Sequence, residues 1–143
     1  METVTELIIA RVVSGMGQAA KNMEKARETT EAIAEWLGVN RLAPGTLNLH
    51  EQNRNAVWWD CLKFDVIRGV RCYRATVKIG NTSYHGAVIR SERTTQPEYV
   101  LEFVHELNLR ATTDIIDGDL IEIIMDAITL QTIAPKELAE PVD

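Results

Sequence analysis

The sequence predicts a mainly β fold: a small barrel of six or so short strands with two helices inserted. Three observations lead there. Short apolar–polar alternations recur along the chain, glycine-bearing turns separate them, and the regular strand–helix alternation of a doubly wound sheet is missing. The 143 residues suit one domain, assigned to residues 1–132, with residues 133–143 as a loosely held tail marked by Pro135 and Pro141.

Each element has a local reason. Residues 7–14 read as a strand, because β-branched Ile8, Ile9, Val12 and Val13 dominate and Gly15 breaks the run. Residues 22–37 read as a helix: Met23, Ala26, Thr30, Ile33 and Leu37 recur at three- and four-residue steps, and Gly38 follows as a stop. Ala43-Pro44-Gly45 turns the chain into a short strand over 46–49. Leu62, Phe64 and Val66 alternate with Lys63 and Asp65, Arg68-Gly69 makes a turn, and Tyr73, Ala75, Val77 and Ile79 share one strand face. Gly80-Asn81 suits a two-residue hairpin, since glycine accepts the positive φ such turns require, and the chain returns over 82–89. A second helix is expected from Pro97 through Glu102 to about Glu106, with the proline tolerated in a first helical turn. Asp117-Gly118 is a turn and 120–125 a final buried strand. Trp58 and Trp59 are adjacent, so on a strand one faces inward and the other outward.

Composition narrows the function classes. Apolar residues make up 45% and charged residues 25%, ordinary for a globular protein, which excludes disorder, collagen and a disulfide-stapled miniprotein. Fifteen Lys and Arg against 21 Asp and Glu give a net charge of −6, opposing non-specific nucleic-acid binding. No apolar run approaches the ~20 residues of a membrane span. Cys61 and Cys72 lack metal spacing and Met1-Glu2-Thr3 lacks the basic start of a secretory signal, so a cytoplasmic protein with reduced thiols is expected. His50, His85 and His105 share no ligand spacing, and zinc or nucleophilic hydrolase chemistry finds no support.

Several segments can carry chemistry. Gly15-Met16-Gly17-Gln18-Ala19-Ala20 follows a strand and precedes a helix, as phosphate-cradling turns do, though it equally serves as a plain connection. In an extended 46–49 segment, Thr46 and Asn48 point the same way while Leu47 faces the core. Their hydroxyl and amide oxygens suit a hard cation whose shell phosphates and waters complete, or they satisfy a turn. Residues 90–97 form a polar, basic loop. Arg110 either forks onto a phosphate or pairs with Asp114 or Asp117.

In order and spacing, these pieces resemble the CTP-dependent riboflavin kinases best known from archaea. The resemblance is carried by Arg11 through Gly17, by Pro44-Gly45-Thr46-Leu47-Asn48-Leu49, and by Gly86 through Arg90 with Glu92-Arg93-Thr94. Val100-Leu101-Glu102, Asn108-Leu109-Arg110 and Asp117-Gly118-Asp119 complete it. It implies a six-stranded barrel of the cradle-loop type that moves the γ-phosphoryl of CTP onto the 5′-hydroxyl of riboflavin, giving FMN and CDP. It also implies a nucleotide site of Met16, Gly17, Gln18, Ala19, Ala20 and Lys21 with Leu107, Asn108, Leu109 and Arg110. Thr46 and Asn48 match the catalytic Mg²⁺-binding pair, and Thr94 and Glu102 match residues that contact the flavin. Where that family continues its turn with a second glycine, a basic residue and aromatics, this chain reads Gln18-Ala19-Ala20-Lys21-Asn22-Met23. A barrel that binds flavin or nucleotide without phosphoryl transfer is therefore the second reading, and a kinase with another donor or acceptor the third.

Overall fold

Period-two alternation builds the core. In the computed structural model, which describes residues 4–15, 26–53 and 59–128, Ile8, Ala10 and Val12 of β1 (Val4–Val12) point inward. Ile121, Ile123 and Met125 of β7 (Leu120–Ala127) do the same across the register Ile8↔Ile123 and Ala10↔Ile121. The remaining strands are β2 (Leu47–Glu51), β3 (Asp65–Ile67), β4 (Val70–Ile79), β5 (Thr82–Ser91) and β6 (Val100–Val104). Helix α1 spans Arg27–Leu37, and the single turn α2 spans Leu109–Thr112. Among the described residues no helix is long and apolar enough to cross a membrane.

Six strands close into an antiparallel ring in the order β4-β5-β6-β2-β1-β7, with β7 pairing back onto β4. Closure leaves the ring no open edge. The ten-residue β4 allows it: residues from Ala75 to Lys78 pair with β7, while Val70 to Cys72 pair with the short β3 outside the ring. Two-residue turns join β3 to β4 at Arg68-Gly69 and β4 to β5 at Gly80-Asn81, where Gly80 sits at φ 63°.

Tyr73, Val77, Val88, Leu49, Leu101 and Phe103 fill the interior. Cys72, Ala87 and Val104 alternate with inward-facing neighbours and form an outer patch that α1 covers with Ile33 and Ala34. Gly38 closes α1 in the left-handed conformation at φ 84°, its N–H reaching the carbonyls of Ala34 and Glu35. Burial in this patch pushes the Cys72 thiol up to about 12, so it is an unreactive apolar group at neutral pH.

Strands β5 and β6 approach so closely at Gly86 that a Cβ there would stand 2.2 Å from the Val104 carbonyl oxygen and 2.7 Å from Phe103 Cζ. A backbone oxygen cannot swing aside, so Gly86→Ala is expected to cost about 1–3 kcal/mol. A urea denaturation midpoint equal to the wild-type value would contradict this packing.

The sequence expectations need two corrections. The segment 97–106 is not a helix: Pro97 opens a turn, and Val100–Val104 is the strand β6, paired on both sides, to β2 and β5. Leu101 and Phe103 enter the core at period two, and two neighbouring strands satisfy the backbone that a helix would have satisfied internally. The second helix lies further on, at Leu109–Thr112. The Leu62–Val66 alternation is only partly a strand: Leu62 makes an isolated bridge to Ala127, β3 starts at Asp65, and Val66 is exposed because β3 lies outside the ring. Trp59 sits in a 3₁₀ turn (Trp59–Cys61) with its ring buried. Residues 22–25 of the expected first helix, Trp58 and the 133–143 tail lie outside the described residues.

Candidate active site

The Pro44-Gly45-Thr46-Leu47-Asn48 segment feeds β2, where Leu47 and Leu49 enter the core and leave Thr46 and Asn48 on the opposite side. The Thr46 hydroxyl stands 3.1 Å from Asn48 Oδ1 and 3.4 Å from Glu102 Oε1. Its single proton serves one acceptor at a time. Glu102 arrives from β6 directly opposite Asn48 in the strand register. Three oxygen-bearing side chains therefore converge from two strands.

The glycine turn begins beside this cluster. Val13 N–H donates to the Asn48 carbonyl at 3.0 Å, and a Cβ on Gly15 would fall 2.0 Å from Asn48 Nδ2. Met16, Gly17, Gln18, Ala19, Ala20 and Lys21 lie outside the described residues, but the point from which they depart is fixed against Asn48.

The Asn108-Leu109-Arg110 segment fastens that departure point. Asn108 Oδ1 caps α2 by accepting from the Ala111 N–H at 3.2 Å, and Leu109 is buried. Arg110 Nη2 donates to the Val13 carbonyl at 2.7 Å and to Asp117 Oδ1 at 2.8 Å. Ser14 donates to the other carboxylate oxygen of Asp117. The Ser14 and Arg110 bonds hold the Asp117 carboxyl below its ordinary range, so it is ionised throughout neutral pH. Of the partners open to Arg110, the structure brings in Asp117; both bonds leave from Nη2, so Nη1 and Nε make none among the described residues. Arg11 Nη1 donates to the Gly118 carbonyl at 2.8 Å, tying β1 to the same turn.

Thr94 lies in the β5–β6 loop, where its hydroxyl accepts from the Gln96 N–H at 3.1 Å. Among the described residues no hydrogen bond joins it to Glu102. The loop is nonetheless anchored near Glu102. Arg90 donates to the Gln96 carbonyl at 3.1 Å while its guanidinium lies 4.7 Å from the Trp59 ring centroid, and Trp59 Nε1 donates to the Glu98 carbonyl at 3.0 Å. Trp59 is thus a core side chain that also pins this loop, a role no sequence signal announced.

Burial raises the Glu102 carboxyl above its ordinary 4.5, against the opposing pull of the Thr46 hydroxyl and the Arg90 charge. A carboxyl with a raised folded-state value favours folding most when protonated and loses that contribution as pH rises through the folded value. Glu102→Gln should therefore melt higher than wild type at about pH 7, with the gain vanishing below the ordinary carboxyl range. Melting curves at both pH values check this, and an unchanged difference between them would contradict it.

Thr46 Oγ1 and Asn48 Oδ1 are oxygens that could hold a hard divalent cation, with Glu102 Oε1 beside the Thr46 hydroxyl. Among the described residues no group of three or more His, Cys, Asp or Glu could hold a metal, and these side-chain oxygens alone make an open shell. Such an open shell suits Mg²⁺ bound jointly with substrate phosphates and water.

A family model for the CTP-dependent riboflavin kinase domain, described as domain of unknown function DUF120, matches residues 12–125. The riboflavin kinase of Pyrococcus furiosus is 35% identical over 130 residues, covering 82% of this chain and 57% of that protein. That of Pyrobaculum aerophilum is 33% identical over 127 residues, covering 81% of this chain and 59% of that protein. That of Staphylothermus marinus is 30% identical over 121 residues, covering 80% of this chain and 88% of that protein. The chain thus spans 57–59% of the length of the first two relatives and most of the third. The matched region contains the oxygen cluster, the start of the glycine turn and the Arg110–Asp117 clamp, and on this ground the chain belongs to the riboflavin kinase family.

Proposed function

We propose that the chain transfers the γ-phosphoryl of CTP to the 5′-hydroxyl of riboflavin, producing FMN and CDP with Mg²⁺. The observation that carries this is the meeting of Thr46, Asn48 and Glu102 at the start of a glycine turn clamped by Arg110 and Asp117. Phosphoryl transfer asks a protein mainly to position donor and acceptor and to balance charge, so no nucleophilic side chain is needed.

In this reading the glycine turn and the Leu107–Arg110 segment hold the nucleotide. Thr46 and Asn48 are the residues that would hold a divalent cation beside the triphosphate, and such a cation would supply positive charge to balance the transferring phosphoryl group. Glu102, acceptor-only when ionised, takes a hydrogen bond from riboflavin, and Thr94 offers its hydroxyl from the pinned loop. Choice of CTP over ATP is drawn from the family likeness, since pockets that read a base through backbone groups leave no side-chain signature.

Purified protein incubated with riboflavin, CTP and Mg²⁺ should accumulate FMN and CDP in equal amounts. Chelating the divalent cation should stop the reaction without unfolding the protein. FMN formation that continues at full rate under chelation would remove the cation from the mechanism.

A further inference from the structure

His105 is absent from every role assigned above, yet both walls of the cleft beside Thr46 hang from it. One wall is the Ala43–Leu47 segment; the other is the Leu107–Arg110 segment, and His105 lines the space between them. Its carbonyl accepts the Ala43 N–H at 2.9 Å, and its ring Nδ1 lies 2.9 Å from the Leu107 amide nitrogen. An amide N–H can only donate, so Nδ1 is the acceptor and the neutral ring carries its proton on Nε2. The ring is held in place by Phe103, 6.1 Å away and nearly parallel at 23°, and by Tyr84, 5.7 Å away and edge-on at 83°.

We propose that His105 is the positioning residue of the nucleotide cleft: its neutral ring sets the Leu107–Arg110 segment by accepting the Leu107 N–H, and a proton on Nδ1 releases that segment. The proposal rests on the reading of this cleft as the nucleotide site. Protonation turns Nδ1 into a donor facing another donor, so the bond cannot survive it. Burial holds the ring below its ordinary 6.5, with Glu106 opposing and the charge of His85 acting the same way as burial. The Leu107 N–H, donating to Nδ1, stabilises the neutral ring and so opposes protonation. The titratable and charged groups around it are Tyr84 and His85 on β5, Glu106 next in the chain, and Arg110 in the cleft wall, whose Nη2 is engaged by Val13 and Asp117. At neutral pH the ring is therefore the uncharged acceptor that the segment needs.

Three variants separate this role from simple packing. His105→Ala removes the acceptor, and losing one such bond should raise the KM for CTP about tenfold while the KM for riboflavin and kcat stay within about twofold. His105→Asn places Oδ1 where Nδ1 stood and should restore the CTP KM to within about threefold of wild type. His105→Leu keeps apolar bulk without an acceptor and should behave like the alanine variant. Wild-type KM for CTP should rise between pH ~8 and pH ~5.5, and the asparagine variant should lose that rise. Hydrogen exchange of the Leu107 amide in ligand-free protein gives a readout independent of turnover: protected in wild type and His105→Asn, unprotected in His105→Ala.

A wild-type CTP KM in folded His105→Ala overturns the proposal. So does an asparagine variant that protects the Leu107 amide yet binds CTP as poorly as the alanine variant. If wild type makes no FMN with any nucleotide, the kinase reading fails instead. A CTP titration followed at the Leu107 amide still decides the role of His105, with weaker binding in the alanine variant expected and equal binding overturning it.

Discussion

Asn48→Ala should lower the turnover of riboflavin to FMN by on the order of 10²-fold while changing the KM for riboflavin little. The side chain sits on the solvent side of β2, opposite Glu102 and 3.1 Å from the Thr46 hydroxyl, so its loss leaves the barrel core intact. What disappears is an oxygen that, in the proposed reading, would help hold the cation balancing the negative charge that gathers as the phosphoryl group moves. An interaction used more in the transition state than in the ground state shows in kcat first. Thr46→Ala should have the same character, and Thr46→Ser should retain most activity by keeping the hydroxyl. Steady-state FMN formation with a parallel melting curve checks the series. Full turnover in Asn48→Ala would remove this residue from the chemistry.

Gly15→Ala should reproduce the Asn48→Ala defect from a residue that bears no functional group. The added Cβ would lie 2.0 Å from Asn48 Nδ2, far inside contact distance, and the atoms it meets are those of the Asn48 side chain. Gly15 is not among the glycines held at positive φ, so alanine meets no backbone strain there. The amide must therefore swing away, taking Oδ1 out of the cluster, while the fold is spared. Turnover should fall by on the order of 10²-fold with a stability change under about 1 kcal/mol. Combined with Asn48→Ala, the glycine change should add almost nothing, because both act on the same oxygen. Additive losses in the double variant, or wild-type turnover in Gly15→Ala, would contradict the link.

How much of this was legible in the sequence depended on distance along the chain. The Thr46–Asn48 pair was readable because it needs only the two-residue period of a strand around Leu47, a local rule. The Gly80-Asn81 hairpin was readable for the same reason. The segment Val100-Leu101-Glu102-Phe103-Val104 was not, since its apolar residues fit both helical and strand spacing, and long-range pairing with β2 and β5 decided the matter. Glu102 was consequently expected on a helix, and only the strand register brings it to Asn48. The contact of Gly15 with Asn48, the choice of Asp117 by Arg110 and the hold of His105 on Leu107 all depend on barrel closure. No periodicity encodes them. The residues proposed for the flavin divide: Glu102 joins the cluster, whereas Thr94 stays in its loop, bonded to Gln96.

The outer patch follows the same logic. Alternation with Tyr73 sends Cys72 outward under α1, where burial keeps it protonated. Trp59 had no place in the sequence pattern, and its work is to fill the core and hold the loop that carries Thr94.

The most direct test of the central claim is FMN formation from riboflavin and Mg²⁺ with CTP and ATP in separate reactions, using protein shown to be folded by its melting transition. The account predicts FMN with CTP and none with ATP. No FMN from either nucleotide would contradict phosphoryl transfer by this chain, and FMN from ATP alone would contradict CTP as its donor.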